Sequence, residues 1–166
     1  MSDQDPLSAF RFLVTLDAAD AYLPPEQADL VDRVALGAFQ EVKGLGGELD
    51  VMDYAEGGAN DTLRRLPVRH KWGRITLRRG ITLEPGLWDW YEAGLTQSPG
   101  ARRDGTIILL TPSGEAAVSW AFRGGLAAKW IGPDLGAMEN AVAIEGLEIA
   151  HEGLTRVVAQ QQGEEA

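Results

Sequence analysis

Phe10, Phe12, Val14 and Leu16 alternate with Arg11, Leu13, Thr15 and Asp17. A period of two turns one set toward a core and predicts a strand. A second strand is expected over Val34 to Val42, closed by the turn Gly44-Leu45-Gly46-Gly47. A third follows, with Leu49 and Val51 on one face and Glu48, Asp50 and Met52 on the other. Residues 53–67 are polar, carry Gly57-Gly58 and read as a long loop. Alternation returns from Arg69 to Arg79, where Ile75 and Leu77 oppose Arg74, Thr76 and Arg78.

Glu84-Pro85 opens a helix, since proline is tolerated at the first helical position. Leu87, Trp88, Trp90, Tyr91 and Leu95 fall within an arc of about 160° at 3.6 residues per turn. Asp89 and Glu92 lie outside that arc. Residues 96–105 read as a second exposed loop. Ile107 to Leu110 form a short apolar strand covered on both faces, and Val118, Trp120 and Phe122 complete a hairpin after the turn Pro112–Glu115. A short extended piece is expected at Lys129 to Ile131. In the last strand Val142 and Ile144 share one parity, Leu147 and Ile149 the other, so the phase slips at Gly146 and predicts a β-bulge.

About seven strands and one helix, with no βαβ alternation, predict a mainly β chain. The expected fold is an antiparallel barrel or sandwich with one flanking α-helix. A chain of 166 residues fits a single domain, with its core over about 5–155 and a flexible tail at 156–166. Residues 18–36, with Pro24-Pro25 and several acids, read as a surface extension.

Charge narrows the function classes. Fifteen basic against 25 acidic residues give a net charge of −10, which argues against a general nucleic-acid surface and against docking on anionic membranes. The charge is uneven: net −8 over residues 1–66, +3 over 67–104 and −5 over 105–166. Copies could attract one another through such patches. No cysteine is present, which excludes disulfides, thiol nucleophiles and CxxC zinc sites. The acidic start lacks an apolar signal core, so assembly in the cytoplasm is expected.

Catalytic chemistry finds little support. His70 and His151 have no histidine or ligand-spaced carboxylates near them in sequence. No G-x-S-x-G or H-E-x-x-H motif occurs, and Gly44-x-Gly46-Gly47 is followed by a strand rather than a helix N-terminus. The expectation is no enzyme, no metal and no cofactor. The five tryptophans leave open a lone barrel that recognises a small ligand, although core or subunit contact is the simpler role.

Several segments, in order, resemble the tail tube protein family of contractile-tailed phages and extracellular contractile injection systems. They begin with Asp5-Pro6 and Phe10-Arg11-Phe12, then Val42-Lys43-Gly44-Leu45. Tyr54-x-Glu56-Gly57-Gly58-x-Asn60-Asp61, followed by Arg65-Leu66-Pro67, resembles the family's signature loop. Thr76-Leu77-x-Arg79-Gly80, Leu87-Trp88-Asp89-Trp90, Arg102-Arg103-Asp104-Gly105, Trp120-x-Phe122-Arg123 and Lys129-Trp130-x-Gly132-Pro133 continue the pattern, which closes at Leu147–Leu154. The resemblance implies a virion or injection-particle component: rings of six stacked into a hollow inner tube within a sheath. Its partners would be itself, the sheath protein, baseplate or spike proteins, and cargo or a tape-measure protein in the lumen. Gly124-Gly125-Leu126 departs from the family's usual step, as does the length of residues 18–36, and a tube-initiator subunit beside the baseplate stays open as an alternative. The expected subunit interface is Asp53, Tyr54, Glu56, Gly57, Gly58, Asn60, Asp61, Arg64 and Arg65, with the acids of one ring facing the arginines of the next.

Overall fold

The computed structural model describes residues 11–16, 34–35, 39–58, 61–83, 85–96, 102–138 and 140–158. Most of the 18–36 extension therefore lies outside the described residues. The chain forms β1 (Phe12–Leu16), β2 (Val34–Ala35), β3 (Glu41–Lys43), β4 (Gly47–Ala55), β5 (Leu63–Trp72), β6 (Ile75–Gly80), helix α1 (Gly86–Thr96), β7 (Arg103–Leu110), β8 (Ala116–Ile131), β9 (Ile144–Ala150) and β10 (Gly153–Val158). Arg156 to Val158, expected in the tail, pair with Trp120 to Val118 on β8.

All pairings are antiparallel, in the order β2-β1-β7-β8-β9-β6-β3, with β10 also on β8. The result is a sandwich whose two layers share one strand. The first part of β8 pairs with β7 and β10; from Leu126 onward it pairs with β9. The corner falls at Gly124-Gly125. Gly124 has φ +61°, and a Cβ on Gly125 would lie 2.7 Å from the Phe122 ring and 2.8 Å from the Arg103 carbonyl oxygen. Only glycine lets a strand turn between layers at so close an approach. The expected piece at Lys129–Ile131 is thus the far end of this continuous strand.

The core collects the inward residues of both layers: Val14, Leu16, Ile75, Leu77, Ile107, Phe122, Leu147 and Ile149. Each buried aliphatic side chain contributes about 1.5–3 kcal/mol. Helix α1 closes the core with Leu87 and Trp90, both fully buried and one turn apart, and packs on β8. Its entry is fixed by Asp89 N–H donating to the Pro85 carbonyl at 2.8 Å. Trp88, expected in the buried arc, sits at its edge, edge-on to Trp130 with ring centroids 4.8 Å apart. Replacing Trp90 by alanine would cost about 3–5 kcal/mol.

Gly146 is not bulged. Its strand pairs with β6 without interruption from Ile75↔Ile149 to Gly80↔Ile144. The irregularity lies instead on β8, between Ala127 and Lys129. The hydrophobic phase slips for another reason: Glu145 shares the inward parity of Leu147 and Ile149 and is itself buried. Its Oε1 accepts a 2.8 Å bond from Arg79 Nε, which is equally buried. A charged pair replaces an apolar residue on the core face, and the pattern reads as a shift.

Candidate assembly interface

The ribbon β3–β6 does not end at Lys43. Beyond Gly44, Leu45 and Gly46 on one strand, and Gly73 and Arg74 on the other, it resumes as β4–β5. Three residues face two, so the ribbon is irregular at this point. Gly44 takes φ +87°, and a Cβ there would stand 1.9 Å from the Arg74 carbonyl oxygen. Gly73 N–H donates to the Gly46 carbonyl at 3.0 Å and ties the two strands across the joint.

Past the joint the hairpin stands clear of the sandwich. Every described residue of β4 and β5 is exposed except Asp50, which is half-buried. Residues 53–67, expected as a loop, are the outer half of this hairpin: Asp53 pairs with Arg65, Tyr54 with Arg64 and Ala55 with Leu63. The polar composition reflects a ribbon with two wet faces rather than missing strand structure. A register shift between Asp50 and Val51 leaves Val68 as the extra residue, next to Pro67. Proline is tolerated where a bulge has already broken the ladder.

Both faces also carry apolar side chains. Leu49, Val51, Leu63 and Trp72 lie on one; Met52, Tyr54 and Leu66 lie on the other. The sequence alternation at Leu49 and Val51 points to a strand with one buried face, yet this chain buries neither. An isolated two-stranded hairpin is marginally stable in water. Two faces and two open edges are what a second molecule would cover.

The described members of the expected site gather on this element, and within the chain its charges pair with one another. Arg65 Nε lies 3.5 Å from Asp53 Oδ1, Arg64 Nη1 3.2 Å from Glu56 Oε1, and Lys71 Nζ 2.8 Å from Asp50 Oδ2. The acidic and basic segments thus neutralise one another across a single hairpin. The hydrogen bond to Asp50 raises the Lys71 pKa above its ordinary value. At the joint, the Lys43 ammonium 2.7 Å from Glu41 lowers that carboxyl. Gly57 and Gly58 make the turn in open space, Gly58 with φ +105°. Asp61 follows in an exposed turn, and Asn60 lies outside the described residues. The exposed apolar residues Leu49, Val51, Met52, Leu63 and Leu66 of the hairpin were not among the expected site residues. Their mark in the sequence is apolar residues on both parities of a strand, which a half-buried strand does not show.

Both histidines flank one tryptophan at the hairpin base. His70 meets Trp72 edge-on at 4.3 Å, and Trp72 lies 5.9 Å from His151. His151 Nδ1 is 3.1 Å from the Gly153 carbonyl oxygen. Among the described residues no group of three His, Asp or Glu side chains is placed to hold a metal. A mostly apolar cleft of about 290 Å³ opens between β1, β3 and β7, lined by Phe12, Val42, Leu45, Ile107, Leu109 and Trp120 together with Gln40 and Glu41. Only one of the five tryptophans borders it; Trp90 is core, and Trp88 and Trp130 pack together.

A chain of the anti-feeding prophage (AFP) baseplate structure superposes with TM-score 0.75 at 25% identity, covering 95% of this chain and 98% of that one. A chain of the PVC sheath–tube complex, an extracellular contractile injection system in its extended state, gives TM-score 0.76 at 20% identity over 95% of each. A chain of the AFP tube terminating cap gives 0.77 at 22% identity, over 96% of this chain and 95% of that one. No curated protein sequence matches. The family model described as T4-like virus tail tube protein gp19 matches residues 8–155. Its span takes in both layers of the sandwich, the helix and the projecting hairpin, and the chain belongs to this tail tube family.

Proposed function

We propose that this chain assembles as rings of six copies stacked head to tail, joined through the β4–β5 hairpin. The chain is a structural tube subunit of a contractile phage tail or injection particle, as its family is. The observation that carries the assembly reading is the hairpin itself. It has nine- and ten-residue strands, apolar side chains on both faces and no cover from the other described residues of its own chain. Burying it against a neighbour gains the hydrophobic term that the monomer forgoes.

The sheath would surround this tube, the baseplate would start it, and cargo or a tape-measure protein would fill its lumen. Assembly takes place in the cytoplasm, and no active site is assigned. Among the described residues no helix is long and apolar enough to cross a membrane. Six copies at −10 would give a ring about −60, so rings repel at low ionic strength. Apolar contact must then outweigh charge, and added salt should promote stacking. Electron microscopy of the purified chain at low and high salt tests this. Rings and tubes that lengthen with salt are expected. A strict monomer from micromolar to millimolar concentration would refute it.

A further inference from the structure

The ladder that carries the β4–β5 hairpin is interrupted at its joint. Pairing stops at Lys43↔Thr76 and resumes at Gly47↔Trp72, and between them the ribbon is tied by Gly73 N–H donating to the Gly46 carbonyl. Among the described residues the ion pairs Arg64–Glu56, Arg65–Asp53 and Lys71–Asp50 stay inside the hairpin. These pairs stiffen the ribbon, but they do not fix the angle at which it leaves the sandwich.

Aromatic rings span the joint instead. A row of them starts in the core and ends on the hairpin: Phe122, fully buried, lies 6.2 Å from His151, His151 lies 5.9 Å from Trp72, and Trp72 meets His70 edge-on at 4.3 Å. Ring centroids at such separations attract. The sandwich end of the row is anchored. His151 and Glu152 make the turn between β9 and β10, where Glu152 N–H donates to the Arg123 carbonyl at 2.9 Å and the Glu152 carboxylate pairs with Arg102 at 2.8 Å. His151 Nδ1–H donates to the Gly153 carbonyl, which fixes the ring and leaves Nε2 without a proton in the neutral imidazole. That nitrogen is buried and meets no donor among the described residues, so packing holds this side of the ring. The hairpin end is fitted as well. Gly47 faces Trp72 across the ladder, and a Cβ there would stand 2.7 Å from His70 Cε1 and 3.0 Å from Trp72 Cε3. Glycine at this place lets both rings lie across β4.

We infer that this row is a latch: Trp72 docked on His151 sets the angle of the hairpin on its glycine joint before a second subunit arrives. The consequence for assembly rests on the tube reading above. A hairpin that swings holds its joining conformation only part of the time, and its apparent affinity falls by that fraction. A latched hairpin meets the ordering cost during folding, so each joining step is easier. Loss of one aromatic contact shifts such an equilibrium about 2- to 12-fold.

The test uses the purified full chain at low ionic strength. Because the chain has no cysteine, Thr62→Cys with Ala116→Cys places one spin label near the hairpin tip and one on the sandwich. The labelled chain is diluted in unlabelled chain, so that pulsed electron resonance reads distances within one subunit. A narrow distribution is expected in this background. Trp72→Ala and His151→Ala should each broaden it, acting from opposite ends of one contact, and together they should broaden it no further. His151→Phe, which keeps a ring there, should narrow it again. Gly47→Ala crowds both rings from the hairpin side and should broaden it too, which keeps the test open if His151→Ala does not fold. With salt added to the unlabelled chains, tubes of both alanine variants should elongate more slowly by the factor given above. An unchanged distribution in Trp72→Ala, or additive broadening in the double variant, would overturn the latch. Broadening with wild-type elongation would overturn its role in assembly. A wild-type chain that forms no tubes would overturn the tube reading instead, and the distances would still decide the latch.

Discussion

Removing the carboxylate of Glu145 should unfold this chain at a much lower temperature than removing that of Glu148. Both residues sit on β9, and both pair with an arginine adjoining or within β6. The Arg79–Glu145 pair is buried, with side chains 4% and 9% exposed and an Nε to Oε1 distance of 2.8 Å. The Arg74–Glu148 pair spans 3.2 Å, with Arg74 59% exposed. Stripping one partner from a buried pair leaves a charge in the interior and costs about 3–5 kcal/mol. Arg79 keeps its position 5.8 Å over the Phe39 ring, which favours the lower end of that range. For a chain of this size about 3 kcal/mol corresponds to a fall of about 6–12 °C. An exposed pair is worth about 0–1 kcal/mol, hence a fall of at most about 4 °C. Thermal unfolding of the unassembled subunit, followed by circular dichroism, compares Glu145→Ala with Glu148→Ala. The double variant Arg79→Met, Glu145→Leu should recover most of the loss, because apolar replacements of a buried pair are often neutral. Equal shifts for the two single variants would refute the reasoning.

Gly44→Ala should lower stability by more than Gly58→Ala. Both glycines need positive φ, a penalty of about 1–3 kcal/mol, but only Gly44 also collides with backbone, whereas nothing lies within 4 Å of Gly58; matched melting curves test the order. The Lys71–Asp50 bond raises the lysine pKa, so its contribution is complete below the ordinary lysine value of 10.5 and is lost as pH rises through the raised value. Lys71→Met should accordingly melt below wild type at neutral pH, with the two curves converging in strong alkali; a constant gap would contradict the assignment. Arg64→Glu with Arg65→Glu places like charges beside Glu56 and Asp53, so the hairpin tip should loosen and tubes should shorten in micrographs while the sandwich stays folded. Tubes of normal length would remove the tip from the assembly contact.

Some of this architecture is written locally in the chain. Val14 and Leu16 alternate with polar or exposed neighbours because β1 has one buried face, and residues with that period can form little else. Leu87 and Trp90 lie one helical turn apart behind Pro85, so the helix follows from spacing, although Trp88 and Leu95 of the same arc are exposed. The family was legible as well, through ordered short motifs such as those around Tyr54 to Pro67.

Other features depended on which strands met. Periodicity reports how many faces of a strand are apolar, not what covers them. Leu49 and Val51 alternate as a core strand would, yet they are exposed because, among the described residues, β4 pairs with β5 alone beyond a glycine joint. Glu145 looked like a break in phase; it occupies a core position because Arg79, 66 residues away, comes within 2.8 Å of it. The partners of Arg64, Arg65 and Lys71 likewise follow from hairpin register, which sets the acids and bases of neighbouring segments side by side in one subunit. The sequence alone determined the family, β1 and the helix, because these are carried by short-range pattern, whereas the outer half of the hairpin read as a loop. Burial and charge pairing were decided by the tertiary structure, because both depend on contacts between residues far apart in the chain.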